Sequence, residues 1–194
     1  MGKLFFTSDW HVSETSAPNT HSFLRPRPTS VMVHEWLKEC NEKIKSDDTL
    51  VFVGDLTVEL SKENIELLTQ LPQCNKILVL GDKEYSNKNF TLHDFMYSDI
   101  AKLFNKIDIE TTIKVGDIEF YVSHRPLDCL GKKKPAICGH IHGCWRSAEM
   151  PGGNLPIINV GIDAWGGLVS EEFILHQHTA ISKFYDNNVF PNRW

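Results

Sequence analysis

At 194 residues, 41% hydrophobic and 23% charged, the chain is expected to fold as one soluble globular domain around a single sizeable core. A net charge of −5 excludes a general nucleic-acid-binding surface, and no apolar stretch approaches the roughly 20 residues of a membrane span. Five cysteines without disulfide or zinc-knuckle spacing point to reduced thiols in a cytoplasm, and an N-terminus that runs directly into a strand argues against a signal peptide.

Leu4–Ser8 reads as a strand, followed from Val12 to Pro28 by a long loop rich in Ser, Thr, Asn and Pro. Thr29 or Ser30 can cap a helix from Val31 to about Lys45, in which Val33, Trp36, Leu37, Cys40 and Ile44 recur at helical spacing. Asp47-Asp48 turns into the strand Thr49–Val53, and a capped helix over Ser61–Gln70 is stopped by Pro72. The strand Lys76–Leu80 comes next, then a helix over Leu92–Phe104. Ile109–Lys114 and Ile118–Ser123 flank Val115-Gly116-Asp117 and read as a hairpin. Short strands at Pro135–Cys138 and Ile157–Val160 precede a final helical stretch near Ser170–Gln177. No repeat, linker or low-complexity tract interrupts this order, so residues 1–194 are read as a single domain of mixed α/β type.

Five short segments carry metal-ligand residue types, most of them directly after an apolar run such as Leu50–Val53 or Ile77–Leu80. They are Ser8-Asp9-Trp10-His11, Gly54-Asp55, Gly81-Asp82-Lys83-Glu84, Ser123-His124-Arg125-Pro126 and Gly139-His140-Ile141-His142-Gly143. Together they supply Asp9, His11, Asp55, Asp82, His124, His140 and His142, enough for two metal ions. Aspartate and neutral imidazole suit Zn, Mn or Fe, and residues two apart, such as Asp9 and His11 or His140 and His142, share a face of an extended chain. Cys138 and Cys144 flank the last pair, but the full ligand set elsewhere reads against thiolate ligation.

This order of motifs resembles the calcineurin-like metallophosphoesterase family, in particular its small bacterial and phage-type members, from Leu4 to about Val169. The resemblance implies two packed mixed β-sheets flanked by helices, with a binuclear metal site on loops at the strand ends. It implies that Asp55 bridges two divalent ions (Mn, Zn, Fe or Ni, with Mn favoured). Asp9, His11, Asp55 and His142 would hold one ion, and Asp55, Asp82, His124 and His140 the other. Two such ions about 4 Å apart neutralise phosphate charge and acidify a water between them, so the implied activity is hydrolysis of a phosphate ester by a metal-bridging hydroxide.

One motif departs from the family. Where its members carry Gly-Asn-His-Asp/Glu, this chain reads Gly81-Asp82-Lys83-Glu84. Asp82 keeps an oxygen ligand and adds a negative charge, whereas Lys83, with an ordinary pKa of about 10.4, is a poorer proton donor than histidine at neutral pH. Lys83 and Asp55 are therefore the catalytic candidates, with Lys83 acting as a charge. A substrate needing little leaving-group protonation follows: a phosphodiester or nucleotide-type ester in preference to a simple alkyl monoester. A phosphomonoesterase or protein phosphatase is the alternative, as is a catalytically weak metal-binding interaction module. Arg25 and Arg27 in an Arg-Pro segment, together with Arg125 and Arg146 beside the histidine motifs, are candidates for binding phosphate through guanidinium forks. Asn159-Val160-Gly161-Ile162-Asp163 also matches small family members and is read as structural, packing beside the His140–His142 loop. The expected partner is a small phosphate ester or nucleotide rather than a nucleic acid or a membrane.

Overall fold

The computed structural model describes residues 2–13, 29–150 and 155–184. Its centre follows from strict alternation of apolar side chains. In strand β2 (Thr49–Val53), Leu50 and Phe52 enter one apolar cluster while Val51 and Val53 enter another. Strand β1 (Leu4–Thr7) splits Phe5 from Phe6 in the same way, and β3 (Asn75–Val79) splits Leu78 from Val79. Successive side chains of a strand point to opposite faces, so a sheet of such strands must be covered on both sides.

The first cover is helical. Helix α1 (Thr29–Lys43) contributes Val33, Trp36, Leu37 and Cys40 to the cluster that holds Leu50, Phe52 and Leu78. Helix α2 (Lys62–Leu68) begins at Ser61, whose hydroxyl accepts from the Asn64 amide, and adds Leu68. Helix α4 (Leu92–Tyr97), preceded by the short α3 (Asp82–Tyr85), adds Phe95. The helix expected to run to Phe104 stops here, because the Ser98 hydroxyl donates back to the Phe95 carbonyl and accepts from the Ala101 amide. A separate 3₁₀ turn, Ala101–Leu103, follows.

The second cover is another sheet. Strand β4 (Lys106–Asp108) extends the first sheet, and the chain then crosses over at Ile109 into β5 (Glu110–Val115), which lies in the second. The expected strand from Ile109 to Lys114 is thus preceded by a short strand of different sheet membership. Strand β6 (Ile118–Ser123) pairs antiparallel with β5 around the two-residue loop Gly116-Asp117, where Gly116 has φ +58°. After the short α5 (Pro126–Cys129) come β7 (Ala136–Cys138), β8 (Ser147–Glu149) and β9 (Pro156–Asn159). Helix α6 (Ile162–Trp165), β10 (Val169–Ser170) and α7 (Glu171–Phe184) are the last described elements, α7 running further than the sequence pattern indicates.

Strand order is β10-β1-β2-β3-β4 in one sheet and β5-β6-β7-β9-β8 in the other. β1 to β4 are mutually parallel, as are β6, β7 and β9. Phe6, Val51, Val53 and Val79 face Phe120, Val122, Ile137 and Ile158 in the cluster between the sheets. The expected architecture of two packed mixed sheets with flanking helices is the one observed. No helix among the described residues is long and apolar enough to cross a membrane.

Candidate metal centre

The carboxyl ends of the parallel strands emerge on one side, and in open α/β sheets that is where ligands bind. Asp9, Asp55 and Asp82 follow β1, β2 and β3; His124 follows β6, His140 follows β7, and Asp163 follows β9. At these exits the backbone bends sharply. Among the described residues six that are not glycine have positive φ, and five of them are Asp9 (63°), His11 (49°), Asp55 (55°), His140 (73°) and His142 (50°). A left-handed conformation costs an L-residue about 1–2 kcal/mol, so its concentration in these ligand candidates marks strain retained where side chains must turn back onto the strand ends. Close approach explains two glycines. A Cβ at Gly54, itself at φ +82°, would lie 2.5 Å from Nδ1 of His124, and one at Gly139 would lie 2.9 Å from Oδ2 of Asp9.

All seven ligand candidates converge. Donor atoms of Asp9, His11 and His142 lie within 4.8 Å of one another, as do those of Asp82, His124 and His140, and those of Asp9, Asp55 and His124. Asp55 stands between the sets, with Oδ2 3.4 Å from His11 Nε2 and Oδ1 3.4 Å from His124 Nε2. The first set is buried, while Asp82 and His140 stand at the open side. Rings of His11 and His142 stack at 5.0 Å, and those of His124 and His140 meet edge to face at 5.3 Å.

Supporting contacts fix these side chains. The Asp163 carboxylate lies 2.6 Å from Nδ1 of His142, which directs Nε2 toward the cluster. His124 Nδ1 donates to the Val53 carbonyl at 2.8 Å, which leaves its buried Nε2 facing Asp55 Oδ1 at 3.4 Å. Asp9 accepts from the Ser8 hydroxyl (2.6 Å) and the His140 amide (3.0 Å), and Asp55 Oδ1 accepts from the Lys83 amide (2.8 Å). Beneath them, fully buried Glu84 gathers the amides of Gly81, Asp55 and Leu56 at 2.8, 3.0 and 2.9 Å. That contact ties the α3 turn to the exit of β2.

The electrostatics are those of closely packed, buried carboxylates and imidazoles. Burial pushes the Asp9 carboxyl up, against the pull of His124 and His142. Burial would likewise raise Asp55, but the hydrogen bond and charge of His124, with His11 behind, hold it well below the usual carboxylate range. Burial also opposes a charged His124, yet the Asp55 and Asp9 carboxylates carry its imidazole up to about 10. Glu84 is pushed up to about 7 by burial and by the charge of Asp55, against the three amides. A divalent cation would satisfy the carboxylates that otherwise retain a proton on His124, and the mixed oxygen and imidazole donors fit Mn, Zn or Fe. Burial raises the Cys138 thiol well above its ordinary value, which suits a packing residue rather than a ligand.

The substrate-binding candidates are placed differently. Arg125 lies at the rim, its Nε 2.6 Å from Asp82 Oδ1, so it orients a ligand candidate and leaves the opposite Asp82 oxygen 3.3 Å from His140 Nδ1. Arg146 donates through Nε to the Ala164 carbonyl and lies over the Trp165 ring, held against the segment after β9. Arg25 and Arg27 fall outside the described residues. Lys83 contributes its amide to Asp55. Sequence reasoning missed the supporting roles of Asp163, Ser8 and Glu84. It placed the Asn159–Asp163 segment beside the histidine loop, where the Asn159 side-chain amide donates to the carbonyls of His142 and Trp145.

No protein-family model matches the sequence, and no curated protein matches it. Among solved structures, a protein of unknown function from Aquifex aeolicus superposes with TM-score 0.66 at 20% identity, covering 91% of this chain and 99% of that one. The two share a fold. A novel archaeal phosphodiesterase matches at TM-score 0.49 and 19% identity, over 82% of this chain and 83% of that one. A phosphoesterase from E. coli matches at TM-score 0.45 and 15% identity, over 81% and 78%.

Proposed function

We propose that this chain is a binuclear-metal phosphoesterase acting on a phosphodiester or nucleotide-type ester. The observation that carries the reading is Asp55, whose two carboxylate oxygens each face an imidazole of a different ligand set at 3.4 Å. That is the disposition required of a carboxylate shared by two cations. Asp9, His11 and His142 would complete one ion's shell, and Asp82, His124 and His140 the other's. When bound, two divalent ions supply Lewis-acid neutralisation of phosphate charge and an acidified water.

The protein's own groups do the rest. Asp163 fixes the ring of His142, Glu84 fixes the turn that carries Asp82 and Lys83, and Arg125 fixes the Asp82 carboxylate. The remaining guanidinium nitrogens of Arg125 are available to an anion at the open side, and Lys83 adds positive charge beside Asp82. Without an imidazole at position 83, the site favours leaving groups that are weak bases. Manganese suits a mixed carboxylate and imidazole donor set, and five free cysteines are compatible with a cytoplasmic setting.

Turnover of bis(p-nitrophenyl) phosphate and p-nitrophenyl phosphate, compared between chelated and Mn-reconstituted protein, tests the reading. Mn-dependent hydrolysis favouring the diester is expected. A protein that binds Mn yet turns over neither ester is instead the weak metal-binding module.

A further inference from the structure

Beside the carboxylate and histidine cluster opens a cleft of about 310 Å³. Asp82 and His124 form part of its wall, so a phosphoryl group held at the cluster has this space directly next to it. The remainder of the wall differs in kind. Leu80, Tyr85 and Ile109 give it an apolar side, while Ser86, Arg125 and Asp128 give it hydrogen-bonding groups. Tyr85 is 37% exposed and Ile109 is 61% exposed, which places both among the chain's large exposed hydrophobic residues. Apolar side chains left in solvent and gathered at a functional cleft mark a binding surface.

Each is there for a structural reason. Tyr85 is the last residue of α3, the turn that buried Glu84 locks to the exit of β2, so its ring is carried by a fixed element. Ile109 is the single residue at which the chain passes from the first sheet to the second, between β4 and β5. Being in neither sheet, it is buried by neither. The cleft lies at the lower end of the size range of small-molecule pockets, enough for one ring system and too small for a folded protein segment.

From this we infer that the cleft is the subsite for a planar aromatic substituent of the phosphate ester, with Tyr85 and Ile109 as its specificity-determining residues. The inference rests on the phosphoesterase reading for the position of the phosphate. A nucleobase and a simple aryl group share the chemistry that Tyr85 and Ile109 recognise; the Ser86 and Asp128 side chains would add hydrogen bonds to a nucleobase only.

Equilibrium binding to the Mn-loaded protein, measured by titration calorimetry with inorganic phosphate, methyl phosphate, phenyl phosphate and adenosine 5′-monophosphate, tests it. Wild type is expected to bind phenyl phosphate about tenfold or more tightly than methyl phosphate, the scale of one aromatic contact. Tyr85→Ala and Ile109→Ala should each reduce that ratio toward one and leave inorganic phosphate affinity and metal content unchanged, while Tyr85→Phe should retain it. Ile109→Ala touches no ligand-bearing turn and guards against a folding effect of the tyrosine change. Adenosine monophosphate binding more tightly than phenyl phosphate assigns a nucleobase; equal affinity assigns a plain aryl group. Phosphate bound normally, with methyl and phenyl esters alike in wild type or a ratio unmoved in both alanine variants, overturns the subsite alone. Binding of none of the four overturns the subsite together with the phosphoesterase reading.

Discussion

Replacing Asp163 with asparagine isolates one ion site from the other. Asp163 is not among the ligand candidates; its side chain is 1% exposed and lies 2.6 Å from Nδ1 of His142. A short, buried, charge-assisted hydrogen bond contributes about 1.5–3 kcal/mol. Asparagine preserves the shape but not the charge, and its amide can turn a donor toward Nδ1, which favours the wrong imidazole tautomer. Changes to such orienting partners reduce metal affinity by about 10–100-fold. Because His142 groups with Asp9 and His11 and not with Asp82, His124 and His140, the loss should fall on one ion only. Titration of metal-free Asp163→Asn with Mn should give one site of wild-type affinity and one weakened by one to two orders of magnitude. Two sites both of wild-type affinity would refute the orienting role, and equal weakening of both would refute the separation of the two sets.

Three further outcomes follow from the same geometry. The Asp55 and Asp9 carboxylates raise His124 to about 10, so at neutral pH metal uptake must displace its proton; affinity for Mn should rise with pH toward that value, and calorimetry in buffers of different ionisation enthalpy should record at least one proton released per chain loaded. Burial raises Glu84 to about 7, so in metal-free protein the folded state binds the extra proton and this group's contribution to stability falls as pH rises from about 4.5 to 7; Glu84→Gln should remove that slope in thermal denaturation and, by facing an amide N–H with a donor, cost about 1–3 kcal/mol at pH 7. Lys83→Ala should lose ~2–4 kcal/mol of transition-state stabilisation, whereas Lys83→His should raise the ratio of alkyl to p-nitrophenyl ester turnover at matched metal content; an unchanged ratio would break the link between Lys83 and weakly basic leaving groups.

Much of the framework is legible because it is local. The strands Thr49–Val53 and Ile118–Ser123 have the bounds that their apolar residues and flanking turns indicate. The ligand candidates are legible because each follows a strand that can be recognised without knowing its neighbours. What escapes is tertiary. The helical pattern over Leu92–Phe104 gives no sign that the Ser98 hydroxyl will compete for the backbone on both sides of itself. Nor does the run Lys106–Val115 reveal that its two halves pair with different sheets. Asp163 lies 21 residues from His142, and Glu84 gathers amides from positions 28 and 29 residues away. Such partners are decided only when the two sheets close on each other. Arg146 reads as a phosphate-binding candidate from its distance to His142 in sequence, a distance that does not announce its contacts with the Trp165 ring and the Ala164 carbonyl.

The shared carboxylate is tested most directly by metal content, read by elemental analysis, in wild type and in Asp55→Asn after chelation and reconstitution with Mn. Two ions per chain are expected in wild type. Asp55→Asn should retain the fold by circular dichroism, hold fewer than one ion on average, and show no Mn-dependent hydrolysis of bis(p-nitrophenyl) phosphate. Full two-ion occupancy in Asp55→Asn would contradict a bridge at Asp55, and a wild-type protein that takes up no divalent metal would contradict the binuclear centre itself.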